Sequence, residues 1–85
     1  MNLIKWQPKA TKQLRKIEDN KLRQQIYDAV QLLKNFPQCT NVKKLNNHAN
    51  AYRLRIGIYR VFFDFDGTVK IISIEEVKKR NEHTY

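Results

Sequence analysis

In the run Tyr52-Arg53-Leu54-Arg55-Ile56-Gly57-Ile58-Tyr59-Arg60-Val61-Phe62-Phe63-Asp64-Phe65-Asp66-Gly67, apolar and polar residues trade places at every second position. Tyr52, Leu54 and Ile56 alternate with Arg53 and Arg55. After Gly57, which turns the chain, Tyr59, Val61, Phe63 and Phe65 alternate with Arg60, Phe62 and Asp64. A period of two is that of strands with one face buried. Successive strand side chains point to opposite faces, so if Tyr52, Leu54 and Ile56 face a core, Arg53 and Arg55 project from the other side, and Arg60 on the next strand joins them. Asp66-Gly67 reads as a two-residue hairpin leading into a last strand over Val69 to Ile74. Ile71, Ile72 and Ile74 make that strand apolar on both sides in places, which suits an inner position in the sheet.

Upstream, the period is helical. Leu3 to Trp6 reads as a short first strand, stopped at Gln7-Pro8, where proline suits the first turn of a helix. Ala10, Leu14 and Ile17 then recur at helical spacing, with Lys9, Lys12, Arg15 and Lys16 between them. Asp19-Asn20 breaks the pattern and caps a second helix, in which Leu22, Ile26, Ala29, Val30 and Leu33 share one face until Asn35-Phe36-Pro37 ends it. The stretch from Gln38 to Asn50 is polar, with a basic step at Lys43-Lys44 and a turn-forming cluster at Asn46-Asn47-His48-Ala49-Asn50. The expected architecture is α+β: an N-terminal strand, a helical hairpin, then a three-stranded antiparallel meander. The helices pack on one sheet face and leave the other for a ligand.

With 85 residues, the whole chain, 1–85, is expected to form a single domain around one modest core. Seventeen Lys and Arg against eight Asp and Glu leave a net charge of +9. A solubilising surface mixes both signs, whereas so one-sided a charge costs self-repulsion unless a polyanion uses it, so nucleic acid or an acidic protein is the implied partner. Cys39 is the only cysteine and His48 and His83 the only histidines, which rules out an internal disulfide and gives no zinc-binding pattern. No metal and no cofactor are expected. No apolar run approaches the roughly 20 residues of a membrane-spanning helix, and the first residues have no secretory-signal pattern, so the expected location is the cytoplasm, away from membranes.

Arg53, Arg55 and Arg60 on one side of a small sheet suit phosphate binding, because each guanidinium offers a planar fork of donors and stays charged. Lys43 and Lys44 precede this face, and Lys78, Lys79 and Arg80 add charge where the last strand leaves the sheet. His83 can move protons near neutral pH, and Tyr85 can stack on a splayed base. Asp64, Asp66, Glu75 and Glu76 form no clear ligand cluster of the kind that gathers Mg²⁺. RNA permits metal-independent cleavage, since its 2′ hydroxyl can attack the adjacent phosphate once oriented and deprotonated.

Tyr52-Arg53-Leu54-Arg55-Ile56-Gly57, Tyr59-Arg60-Val61-Phe62-Phe63, Asp66-Gly67 and the ending Lys79-Arg80-Asn81 with Thr84-Tyr85 together resemble the RelE/ParE superfamily of toxin-antitoxin toxins. The likeness spans nearly the whole chain. It implies a RelE-like microbial RNase fold and, for the RelE branch, cleavage of mRNA in the ribosomal A site. It also implies an acidic antitoxin that masks the basic face and, through its own DNA-binding module, brings the complex to operator DNA. By resemblance, Arg53 and Arg55 lie on the RNA-binding strand; from their charge and position, Lys43, Lys44, Lys78 and Lys79 are expected to add to RNA binding. Arg60 and Arg80 fall on the phosphate-clamping arginines, and Tyr85 on the terminal catalytic tyrosine. The RelE branch has lysines where this chain has Arg53 and Arg55, and arginine is a poor base. His83 is the candidate base, separated from Tyr85 by Thr84, with Glu82 as a weaker substitute. Two rival readings remain open at this level: a ParE-like inhibitor of DNA gyrase, and an RNA-binding module without catalysis.

Overall fold

The computed structural model describes residues 1–80. Five strands form one sheet in the order β1-β5-β4-β3-β2: β1 (Leu3–Trp6), β2 (Val42–Lys44), β3 (Tyr52–Ile56), β4 (Tyr59–Asp66) and β5 (Ile71–Lys79). The helices α1 (Pro8–Arg15) and α2 (Asn20–Gln31), with a 3-10 turn at Leu32–Asn35, lie between β1 and β2 in sequence. Pro8 starts α1. The Asp19 carboxylate accepts hydrogen bonds from the Lys21 and Leu22 N–H groups at 2.9 and 3.1 Å, giving partners to two of the donors that open α2.

The core lies between the helices and one sheet face. Ala10, Ile26, Val30 and Leu33 on the helical side, and Val61, Phe63, Ile72 and Ile74 on the sheet, are fully buried. Phe36, just beyond the 3-10 turn, sets its ring edge-on to Tyr52, Phe63 and Phe65 at 5.0–5.6 Å. Asn2 is the one buried polar residue among those described. Its amide donates to the Phe36 carbonyl at 2.9 Å and its N–H to that of Lys34 at 3.0 Å, fastening the start of β1 to the end of the helical layer. Among the described residues no helix is long and apolar enough to cross a membrane.

Three features depart from the sequence expectation. First, β2 is an additional strand within the polar stretch, pairing antiparallel with β3 (Val42 opposite Leu54, Lys44 opposite Tyr52); it is a three-residue edge strand with one apolar residue, too short for alternation to show. Second, β5 continues to Lys79. Phe62 lies opposite Glu76 but Phe63 opposite Ile74, so Glu75 is an extra residue on β5. Such a bulge shifts the inward phase from Ile72 and Ile74 to Val77 and hides the period of two. Beyond Trp6, α1 covers the edge of β5, where Gln13 Oε1 accepts the Val77 N–H at 2.6 Å. Third, the two-residue hairpin is at Gly57-Ile58, with Ile56 opposite Tyr59. Gly57 has φ +56° and open space where a Cβ would stand, so backbone conformation and not crowding calls for glycine there. At Asp66-Gly67 the loop is longer: Asp66 pairs with Ile71, Lys70 takes the positive φ, and the Asp66 carboxylate accepts the Thr68 N–H at 2.9 Å.

Candidate nucleic-acid interface

Two neighbouring cross-strand rows on the sheet face turned away from the helices hold most of its cations. Lys43, Arg53, Phe62 and Glu76 are successive partners across β2, β3, β4 and β5. Beside them, Arg55 lies opposite Arg60, which lies opposite Lys78. Directly opposed residues on one face stand about 5 Å apart at Cβ, and like charges so placed repel. A row of three cations, of which Lys78 also pairs with Glu76 at 3.7 Å, gives this face a positive field suited to a polyanion. Beyond the row, the Arg80 N–H donates to the Ile58 carbonyl at 2.6 Å, which keeps Arg80 beside the β3–β4 turn.

The acidic residues of the sheet are engaged in the protein's own structure. Asp64 accepts the Ala51 N–H at 2.7 Å and the Asn50 amide at 3.2 Å. Asp66 caps its turn, and Glu75 accepts from the Ser73 hydroxyl at 2.6 Å. Glu76 pairs with Lys9 of α1 at 2.7 Å and with Lys78 at 3.7 Å. The hydrogen bond from Lys9, reinforced by the Lys78 charge, holds the Glu76 carboxyl below its ordinary value of 4.5. The carboxylate nearest the cationic row is thus answered from behind by a helix lysine. Among the described residues no three His, Cys, Asp or Glu side chains gather as a metal site would need. Burial pushes the Cys39 thiol up, away from the reactive thiolate.

Residues 4–83 match a family model described as the ParE toxin of the type II toxin-antitoxin system parDE. The chain belongs to the RelE/ParE toxin superfamily. Solved RelE structures share the fold of this RelE/ParE toxin. The RelBE2 toxin-antitoxin complex of Mycobacterium tuberculosis aligns with a TM-score of 0.80 at 20% identity, over 93% of this chain and 98% of that one. The archaeal RelE-RelB complex of Pyrococcus horikoshii OT3 aligns at 0.79 and 23%, over 95% and 97%. The isolated Escherichia coli RelE toxin aligns at 0.79 and 17%, over 96% and 87%. No curated protein matches the toxin by direct sequence comparison.

Of the residues singled out from sequence, the toxin brings Arg53, Arg55, Arg60, Lys78 and Lys43 to one face, with Arg80 at its margin. Lys44 and Lys79 pair with Tyr52 and Tyr59, whose parity is that of the helix side, so they stand apart from the arginines. His83, Tyr85 and Glu82 lie outside the described residues. One residue of this face escaped the sequence reading. His48, in the β2–β3 loop, lays its ring parallel to Phe62 with centroids 4.8 Å apart. Its only sequence signal is its place in an asparagine-rich turn just before Arg53.

Glu76 gives a pH test of this arrangement in the toxin. Its folded-state value lies below the unfolded one, so the ion pair contributes stability above about pH 4.5 and loses it as pH falls through the lower folded-state value. Glu76→Gln is expected to lower stability at pH 7 by about 0.5–1 kcal/mol and to flatten the decline of the melting temperature between about pH 5 and pH 3. Calorimetry across that range checks it; an unchanged acid limb in the variant would show that the Lys9 pairing adds nothing to stability.

Proposed function

We propose that this toxin is a ribosome-dependent, metal-independent mRNA endoribonuclease acting in the cytoplasm and neutralised by an acidic antitoxin. The observation that carries the reading is the Arg55–Arg60–Lys78 row, set on paired strand positions beside the β3–β4 turn, with the neighbouring Glu76 carboxylate shared between Lys78 and Lys9 of α1. Rigid strand positions suit a clamp on a transition state, where misplacement of a donor by an ångström is costly. In the proposed step the 2′ oxygen of a nucleotide attacks its own 3′ phosphate. A bond forms from the 2′ oxygen to phosphorus, and the bond to the 5′ oxygen of the next nucleotide breaks. The products are a 2′,3′-cyclic phosphate and a free 5′ hydroxyl. Arg60 and Arg80 answer the charge that builds on the phosphoryl oxygens, while Arg53, Arg55, Lys43 and Lys78 hold the flanking backbone, with Lys44 and Lys79 adding charge from outside the face. His83 takes the 2′ proton, the leaving 5′ oxygen takes one from solvent water, and Tyr85 orients the nucleotide. An antitoxin partner is in keeping with the RelE relatives, whose solved structures include complexes with RelB; in such a complex the antitoxin would carry the pair to operator DNA.

The experiment is to induce the toxin in bacteria and map 5′ ends across cellular mRNA, with Tyr85→Ala as the control. New 5′-hydroxyl ends within translated frames, absent in the control, are expected. The family model, which describes ParE toxins, favours a second reading, inhibition of DNA gyrase. Growth arrest with intact mRNA and damaged or relaxed DNA would establish that reading instead.

A further inference from the structure

The loop joining β2 to β3 is held in place more firmly than its composition suggests. Leu45 N–H donates to the Ala51 carbonyl at 2.8 Å and closes its base. Asp64 on β4 takes hydrogen bonds from both Asn50 and Ala51, and Asn47 adopts a φ of 54°. Within this frame His48 Nδ1 accepts the Asn50 N–H at 3.0 Å, which fixes the imidazole in its plane. One face of that ring lies on Phe62 at 4.8 Å and 11°; the residue itself is exposed. Phe62 sits in the same cross-strand row as Arg53 and Lys43. An aromatic pair is thus carried on the charged face, its outer ring open to solvent and its orientation set in advance. A lone surface histidine gains little from being held in this way, whereas an unpaired nucleobase gains a flat, oriented partner beside its phosphate clamp.

We infer that the His48–Phe62 pair is a nucleobase platform, on which one unpaired base of single-stranded RNA stacks against the outer face of His48 while Arg53 and Lys43 hold its backbone. This rests on the RNA-cleaving reading and deepens it: the substrate is held by a stacked base as well as by phosphate contacts. His48 is a positioning residue and takes no part in proton transfer, because its Nδ1 lone pair is committed to Asn50.

The test uses the full chain and a short single-stranded RNA carrying 2-aminopurine, whose fluorescence is quenched when it stacks. Wild type should bind at low salt with quenching. His48→Ala should lose the quenching and weaken binding about 5- to 150-fold, the range of one lost base stack. His48→Phe, which keeps a ring but not Nδ1, should keep the quenching and bind within about threefold of wild type, as expected when the stack carries the effect. Loss in both variants would mean that the hydrogen bond to Asn50 matters and the ring does not, which overturns the platform. Binding and quenching by His48→Ala at wild-type strength would overturn it as well. If Arg55→Ala still weakens binding and lowers its salt dependence in that case, RNA recognition stands without the platform. An RNA that the wild type fails to bind at any salt would remove both.

Discussion

Arg60→Ala is expected to slow RNA cleavage by about 100- to 1000-fold, the usual cost of removing one preorganised donor from a developing oxyanion, while the protein stays folded. Arg60 is in the interior of the longest run of paired β4 residues, flanked by Arg55 on one side and Lys78 on the other. Its backbone is fixed by two ladders, so its Cα cannot shift without moving a strand. Stability should change by less than about 1 kcal/mol, because the residue is on the open face of the sheet and outside the buried core. Arg60→Lys should recover only part of the rate, since a point charge replaces a planar fork. Cleavage rates on ribosome-bound message, beside thermal melts of the same preparations, check both halves. A folded Arg60→Ala protein that cleaves like wild type would remove this residue from the mechanism.

The largest expected loss of stability comes three residues further along the same strand. Phe63 is fully buried, stacks on Tyr52 at 5.4 Å and receives the edge of Phe36 at 5.6 Å. Phe63→Ala should cost about 3–5 kcal/mol, the sum of lost transfer free energy and a cavity that strands on both sides cannot close. Against a total of roughly 4–13 kcal/mol for a domain of this size, that is a large part of what holds it folded, and the melting temperature should fall by about 15–30 °C. Phe62→Ala, one residue earlier, should cost only about 1 kcal/mol, because that ring is half-buried on the open face. Denaturant melts of the two variants side by side read the difference. Equal losses would mean that the two faces of β4 are packed alike.

That contrast also shows what a sequence of this kind discloses. Phe62 and Phe63 are adjacent identical residues, yet the flanking alternation assigns them to opposite faces, and the structure agrees. The same alternation was enough to put Arg53, Arg55 and Arg60 together, because side-chain parity is a local property of a strand. The helical hairpin was equally legible, from the Ala10 and Ile26 spacing and from the Asp19 cap between the helices. What failed to show were features set by tertiary pairing. β2 is a strand because β3 offers it an edge, and its own residues say little. β5 reaches Lys79 because a bulge at Glu75 lets Val77 return to the core, and a bulge breaks the pattern by which a strand is recognised. The Asp66 loop has four residues because the Asp66 carboxylate caps it from within, an option that the Asp-Gly pair does not advertise. His48 was missed for a similar reason: its partner Phe62 is fourteen residues away, and only the return of β4 beside the loop brings the rings together.

β1 runs parallel to β5, with Leu3 beside Ile71 and Trp6 beside Ile74. β1 is therefore synthesised well before the strand it pairs with, and waits for it. Until Ile71–Ile74 have left the ribosome, the apolar side of β1 and the helices behind it have only an incomplete sheet to cover. Pairings between such distant segments form slowly, since the loop between them must close before any contact repays its entropy. The cationic row is subject to the same delay, because Lys78 arrives on β5 after Arg55 and Arg60 are already in place. The topology thus puts an interval between synthesis of the arginines and completion of the surface they build.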